Sequence, residues 1–483
     1  MAILAIDQST TSTCALVVEK SGANKIVKTV EHQQIYPKAG WVEHDAEELL
    51  TNIQSCIDSC TDIEAIGIGN QGESCLAWDA DSKQAISPII VWQDNRTHLT
   101  IDQLKSQNTQ GLVLKKAGLP LDSYFSATKL AWIVENIPKA KELLRHRKLR
   151  LGTTDAFFLD RLADRFVTDI STASRTSLMN LQTGQWDKEL CELFGVPIEA
   201  LPEIVPTTGD FGSIMSNGQC IPVTASIVDQ QAALYAHGCK KPGDAKITFG
   251  TGAFALVVTG DTPIQSAEQG LLPTVAWQLK GLKPVYALDG GVFSAGSAIN
   301  WAKSLGLFKT YDQIQQFKKT SAIEDDLVFV PALSGLGCPY WDKTAGGLWI
   351  GLSLDTQPID LMQSILEGIV FRAAEVITAM NEFTSVKSEV SIDGGLSTNP
   401  YFCQFLADVL NRQVIVQATA ELTALGIARL AADGHVEQNF MASSIKRYSP
   451  ETDRRPFLEK FKDAVNRSSQ WRIDPLSPIS IKT

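Results

Sequence analysis

The chain has no surplus of positive charge: 43 Lys and Arg against 54 Asp and Glu leave a formal net charge of −11. That balance argues against a general binder of nucleic acid or of anionic membranes, although a local site can hold an anion against the global field. Long apolar runs are missing, so no segment reads as a membrane span. The opening Met-Ala-Ile-Leu-Ala-Ile-Asp has no basic region and meets an acid too early for a secretory leader. The six histidines form no ligand cluster. Nine cysteines lack framework spacing, and their odd count fits free thiols in a reducing compartment. Cys56 and Cys60 are four apart on an expected helix, but no second ligand pair follows, so no metal site is expected there. The expected location is the cytoplasm, where Asn95-Arg96-Thr97 is a sequon without use.

The common nucleotide signatures also fail. Residues 67–74 spell G-x-x-x-x-G-E-S, one step from a P-loop, but Glu73 stands where a lysine would meet phosphate. Asp210-Phe211-Gly212 spells DFG, yet no H-R-D-x-x-x-x-N loop precedes it. No G-x-G-x-x-G lies between a strand and a helix, which disfavours a Rossmann dinucleotide fold.

What the chain does have is one local pattern, used twice. Residues 3–6 form an apolar strand, Asp7-Gln8-Ser9-Thr10-Thr11-Ser12-Thr13 a small polar turn, and residues 14–18 a second strand. Residues 246–249 lead into Gly250-Thr251-Gly252, and residues 253–258 return. Each reads as a β-hairpin whose tip carries hydroxyls and free backbone N–H groups. Such tips suit phosphate oxygens, because small residues let the backbone approach and donate. Two tips at corresponding places imply a duplicated domain with nucleotide phosphates between the copies.

A chain of 483 residues exceeds one ordinary core, so two domains are expected, with 44% hydrophobic and 20% charged residues giving a globular α/β composition. Strands are expected at 65–69, 89–92, 221–228, 327–331 and 390–392. Helices are expected at 128–136, 230–237, 294–305 and 363–380. The turn-rich stretch from Gly238 to Gly243 places the boundary, giving domains 1–238 and 239–483. Mixed sheets flanked by helices, in two copies around a cleft, are the simplest architecture.

Three acids at strand ends carry two readings each. Asp7 either organises Mg²⁺ beside phosphate or is a turn aspartate bonding nearby N–H groups. Asp229 either takes a proton from a hydroxyl that attacks phosphorus or caps the helix at 230–237. Asp393-Gly394-Gly395 is either a simple turn or a backbone against which a nucleotide base lies. Thr251, between two glycines, has the same balance for contact with a transferring phosphoryl group.

With these residues on the page, the chain resembles the FGGY carbohydrate kinases, and within them the glycerol kinases. The resemblance is carried by Asp7-Gln8-Ser9-Thr10-Thr11, Gly40-Trp41-Val42-Glu43-His44-Asp45, Trp92-Gln93-Asp94, Tyr124-Phe125-Ser126 and Asp229-Gln230-Gln231-Ala232-Ala233-Leu234. Phe249-Gly250-Thr251-Gly252, Ser334-Gly335-Leu336, Pro339-Tyr340-Trp341-Asp342 and Asp393-Gly394-Gly395-Leu396 continue it in order. It implies two actin-like (ribonuclease-H-like) domains and transfer of the γ-phosphoryl group of ATP, with Mg²⁺, to a small polyol or sugar. It also implies Asp229 as the base, with Asp7 as the metal-organising acid and Asp229 close to that metal. Thr10, Thr11, Gly250 and Thr251 would surround the phosphates, and Gly395 and Asn399 would border the adenosine. Glu73, Trp92, Tyr124, Asp229, Gln230 and Phe254 would hold the polyol, acids and amide reading hydroxyls while aromatics cover the carbon edge; without the family, those aromatics read as core. A homodimer is expected from the family alone.

Two positions depart from the family pattern. Gly72 stands where the family has an arginine before Glu73, and Cys14 where it has a second arginine after the first phosphate loop. The first loss either leaves room for a longer polyol or ketose, of four or five carbons, or is made good by another donor, with Lys129 and Arg96 as candidates. The second weakens phosphate binding or is tolerated. Residues 213–220 contain no arginine, so inhibition by fructose bisphosphate is expected to be absent. A competing reading is a non-catalytic actin-like protein that binds ATP and signals by opening and closing.

Overall fold

The computed structural model describes residues 2–265, 270–317, 320–417, 421–432 and 446–472. Its N-terminal half is built on a sheet of β1 (Ala2–Gln8), β2 (Ser12–Glu19), β3 (Asn24–Glu31), β4 (Ile63–Asn70), β5 (Ser213–Ser216) and β6 (Gln219–Val228). The C-terminal half is built on β7 (Ala245–Phe249), β8 (Ala253–Gly260), β9 (Leu272–Trp277), β10 (Val285–Val292), β11 (Glu389–Gly394), β12 (Gln413–Val416) and β13 (Lys446–Tyr448). The strand orders are β5-β6-β4-β1-β2-β3 and β9-β10-β8-β7-β11-β12-β13.

The duplication expected from the two hairpins is visible in these orders. In the first sheet, β1 pairs antiparallel with β2 and parallel with β4, which is parallel to β6. In the second, β7 pairs antiparallel with β8 and parallel with β11, which is parallel to β12. Parallel neighbours need crossovers, and helices supply them on the sheet faces. One is α1 (Ala46–Asp58), whose N-cap Asp45 accepts from the N–H groups of Glu47 and Glu48.

Several expected bounds move for local reasons. The strand expected at 89–92 is only Ile89–Ile90, so Trp92 lies beyond it with its N–H on Ser74 Oγ. The helix expected from 294 begins at Gly296, because the N–H groups of Ala295, Gly296 and Ser297 are taken by the Gly250 and Thr251 carbonyls. Asp229 is not a cap: Val228 holds that position without a side-chain bond, and α2 (Asp229–Ala236) starts with Asp229 itself. Cys56 and Cys60 are buried free thiols, with Cys60 beyond the end of α1.

The two halves share a core. Ile3, Ala225 and Leu234 pack with Leu256, Trp277 and residues of α3 (Leu422–Ala432) in one buried cluster. Among its residues, Leu422, Ala424, Leu425, Gly426, Ile427, Ala428 and Leu430 are all buried, so α3 is enclosed on most of its surface, with Thr423 and Arg429 half-buried. It lies across β4, where a Cβ on Gly69 would come within 2.3 Å of Ile427. It also crosses α2 with the backbones in contact, since a Cβ on Gly426 would sit 1.9 Å from the Ala232 carbonyl oxygen. This crossing fixes the helix whose first residue is Asp229. Gly426→Val is expected to destabilise the fold by about 1–3 kcal/mol through overpacking. Urea denaturation measures it, and an unchanged midpoint would refute the close crossing.

Candidate active site

The first hairpin tip is smaller than its polar sequence indicates. Asp7 and Gln8 belong to β1, and Ser9 closes the turn by bonding Ser12 through its N–H and its hydroxyl. Thr10 and Thr11 stand at the apex, and Thr10 Oγ1 accepts from Trp92 Nε1 at 3.0 Å. Asp7 lies opposite Cys14 in the ladder. Its carboxyl is pushed up to about 8, by burial first and then by the Asp229 and Glu421 carboxylates. Its Oδ1 is buried without a partner.

Beside this tip is an enclosed cavity of about 160 Å³. Gly72, Glu73, Trp92, Tyr124, Asp229, Gln230 and Phe254 all line it, so every residue expected to hold the polyol is brought to one place. Phe254 has room because β10 carries Gly291 opposite it; a Cβ there would sit 3.3 Å from the ring. Trp92 and Tyr124 meet edge to face at 5.7 Å. Their segments share an anchor, as Lys129 Nζ donates to the Tyr124 carbonyl at 2.7 Å and the Trp92 carbonyl at 3.2 Å. Burial lowers that ammonium to about 8. Glu73 has φ +62°, rare for a residue with a side chain, and Ser126 Oγ donates to its carbonyl.

Asp229 is pushed up to about 6, with burial as the largest cause; the Gln230 N–H, Lys246 and Arg175 oppose it while Glu73 adds to it. Lys246 is fully buried on β7 and donates to Gln230 Oε1 at 2.7 Å and Thr248 Oγ1 at 2.8 Å. This bond turns the Gln230 amide nitrogen away from Lys246 and leaves it to donate elsewhere.

A second cavity, about 480 Å³, lies on the C-terminal half and is lined by Gly250, Thr251, Gly395 and Asn399 together with Ile299, Tyr311 and Leu396. Its floor is close-packed backbone. Gly394 has φ +88°, and a Cβ there would lie 2.3 Å from the Phe249 carbonyl oxygen. Asn399 borders the cavity, but its amide is occupied. It caps α5 (Pro400–Leu410), which follows α4 (Pro358–Asn381), by accepting from Phe402 N–H, and donates to the Ile314 carbonyl.

Neither cation proposed to replace an arginine at 72 does so. Lys129 is committed to the two carbonyls, and Arg96 pairs with Asp94 and Glu43 against the Trp41 ring. The cavity holds a different one, Arg175, which sequence reading missed together with Asp289 and Gln231 in the same lining and with Lys246 behind Gln230. The available signal was an arginine isolated in the uncharged run Ile170-Ser171-Thr172-Ala173-Ser174-Arg175-Thr176-Ser177, all of it buried.

Residues 2–236 match the model of the FGGY family of carbohydrate kinases, N-terminal domain, and residues 245–434 its C-terminal domain. A glycerol kinase of Francisella philomiragia is 37% identical, with 97% of this chain and 99% of that protein covered. One of Deinococcus radiodurans is 37% identical, with 98% of each covered. The crystal structure of Plasmodium falciparum glycerol kinase with ADP superposes with a TM-score of 0.89 at 30% identity, over 97% of this chain and 98% of that one. A xylulose kinase of Rhodospirillum rubrum shares the fold, with a TM-score of 0.83 at 21% identity and 97% and 98% covered. With the duplicated sheet, the two hairpin tips and the cavities beside them, these likenesses make the chain an ATP-dependent member of the FGGY family of carbohydrate kinases.

Proposed function

We propose that the chain transfers the γ-phosphoryl group of ATP to a terminal hydroxyl of glycerol, giving glycerol 3-phosphate and ADP, in the cytoplasm. One observation carries the reading: the small cavity sets a carboxyl raised to about 6 among acids, an amide and three aromatic rings that fit a short neutral polyol. Trp92, Tyr124 and Phe254 cover carbon, while Glu73 and Gln230 read hydroxyls. The likeness to the glycerol kinases supports the choice of polyol.

Asp229 accepts the proton of the attacking hydroxyl as that oxygen bonds to the γ-phosphorus and the bond to the bridging oxygen of ADP breaks. Asp229 is the first residue of α2 and lines the small cavity. Thr10 and Thr11 on one tip and Gly250 and Thr251 on the other offer hydroxyls and N–H groups to the phosphate oxygens. Gly395 and the backbone at Asn399 border the adenosine. The reading places Asp229 and the first tip in residues 1–238, and the second tip and adenosine cavity in 239–483.

Asp7 suits a Mg²⁺ ion, since its orphaned, buried carboxylate oxygen is crowded by Asp229 and Glu421 and gains from a nearby cation. Among the described residues no three His, Cys, Asp or Glu side chains form a metal cage, which matches a cation held by one or two carboxylates, water and phosphate. When bound, such an ion supplies positive charge to the β- and γ-phosphate oxygens.

Asp229→Asn is expected to lower kcat by about 10²–10⁴, the usual worth of a general base, with circular dichroism and ATP affinity unchanged. Release of ADP with glycerol measures it, and unaltered turnover would sink the assignment. Lys129→Met unties Trp92 and Tyr124, and is expected to raise KM for glycerol about tenfold, near 1.4 kcal/mol, while KM for ATP stays constant. An equal rise in both constants would refute that anchoring role.

A further inference from the structure

One guanidinium lies inside the small cavity. Arg175 is 3% exposed and is the sole cation among the described residues lining it. Its Nε donates to Glu73 Oε1 at 2.6 Å, and its Nη2 pairs with Asp289 Oδ2 at 3.2 Å. A guanidinium is a rigid planar fork, so these two bonds fix the direction of the third arm. That arm, Nη1, is buried and has no partner. Asp289 Oδ1 and Gln231 Oε1 line the same cavity and are also buried without partners. Native structures rarely leave such groups unpaired unless something absent from the structure pairs with them. An alcohol hydroxyl answers both needs, accepting one hydrogen bond and donating another.

Gly72, in the same wall, contributes nothing to this reading of the ligand. It lies outside the left-handed backbone region, and a Cβ there would meet only Val228, at 3.2 Å. A side chain at this position therefore fits only where Val228 gives way by a few tenths of an ångström. Arg175 lines the cavity beside Glu73 and ties the N-terminal half to Asp289 on β10 of the C-terminal half.

We propose that Arg175 is the specificity-determining residue of the acceptor site: its Nη1 donates to a second hydroxyl of the polyol, beyond the one that Asp229 deprotonates, and that hydroxyl in turn donates to Asp289 or Gln231. The inference rests on the kinase reading above. It makes the site selective for vicinal or near-vicinal neutral polyols over simple alcohols, because a polar site built for a hydroxyl rejects a ligand lacking it.

The test compares wild type with Arg175→Lys on glycerol, propane-1,2-diol and propane-1,3-diol, each with saturating Mg-ATP. Lysine keeps the charge but loses the planar fork. The expected result is a KM for glycerol raised more than tenfold, with KM for ATP within twofold. The penalty should vanish for whichever diol lacks the hydroxyl that Nη1 reads. Gly72→Arg in the Arg175→Lys background should bring KM for glycerol back toward wild type by restoring a guanidinium to the cavity. A glycerol KM within twofold of wild type, or the same penalty on glycerol and both diols, overturns the role of Arg175 while leaving the kinase reading intact. No ADP release from wild type with any polyol overturns the kinase reading, and Arg175 with it. Should Arg175→Lys not fold, wild type alone decides: glycerol must exceed at least one of the two diols in kcat/KM by a hundredfold, and near-equal values for all three refute the proposal.

Discussion

Four carboxylates, those of Asp7, Glu73, Asp229 and Asp289, are gathered around one cleft, and burial raises each of them. Desolvated like charges at such density are tolerable only where cations and donors are built in beside them. Arg175 bridges Glu73 to Asp289, and Lys246, itself lowered by burial, stands among Asp393, Asp229 and Asp289. The arrangement leaves chosen groups unsatisfied, Asp7 Oδ1 and Arg175 Nη1 among them. On the proposed reading, those open valences are where a phosphate-bound cation and a polyol enter.

The fold meets this constraint by placing the site where its two copies touch. Asp7 and Asp229 come from the ends of β1 and β6 in one sheet, while Lys246, Phe254 and Asp289 come from β7, β8 and β10 in the other. None of these strands alone could hold the charge cluster. The close contact of α2 with α3 at Ala232 and Gly426 holds the helix that begins with Asp229, the proposed base. Closure of a cleft around such a site excludes water that would compete for the phosphoryl group.

Glycerol kinases and the other FGGY kinases share this duplicated frame. What distinguishes one acceptor from another must then lie in the few side chains facing the small cavity. In this chain the wall at 72 is bare and the cation comes from 175, held by an acid on each side. Cys14 sits buried opposite Asp7 in the ladder and brings no cation to it.

Much of this was legible in the residues themselves. The strand-tip-strand pattern at 3–18 and 246–258 is local, and local pattern determines hairpins because the turn residues and the alternating strands are neighbours in sequence. The acids at strand ends could be found the same way, although the sequence left Asp229 open as a helix cap until the structure placed it inside the first turn. Pairings far apart in the chain or across the junction of the halves could not. Arg175 meets Glu73 at a separation of 102 residues, and Lys246 meets Gln230 across the junction of the halves. An arginine in a run of small residues carries no local sign of its partner. The sequence by itself determined the hairpins, the duplication and many of the residues that line the small cavity; tertiary structure alone decided which cation lies in that lining, because that depends on side-chain reach through space and not on spacing along the chain.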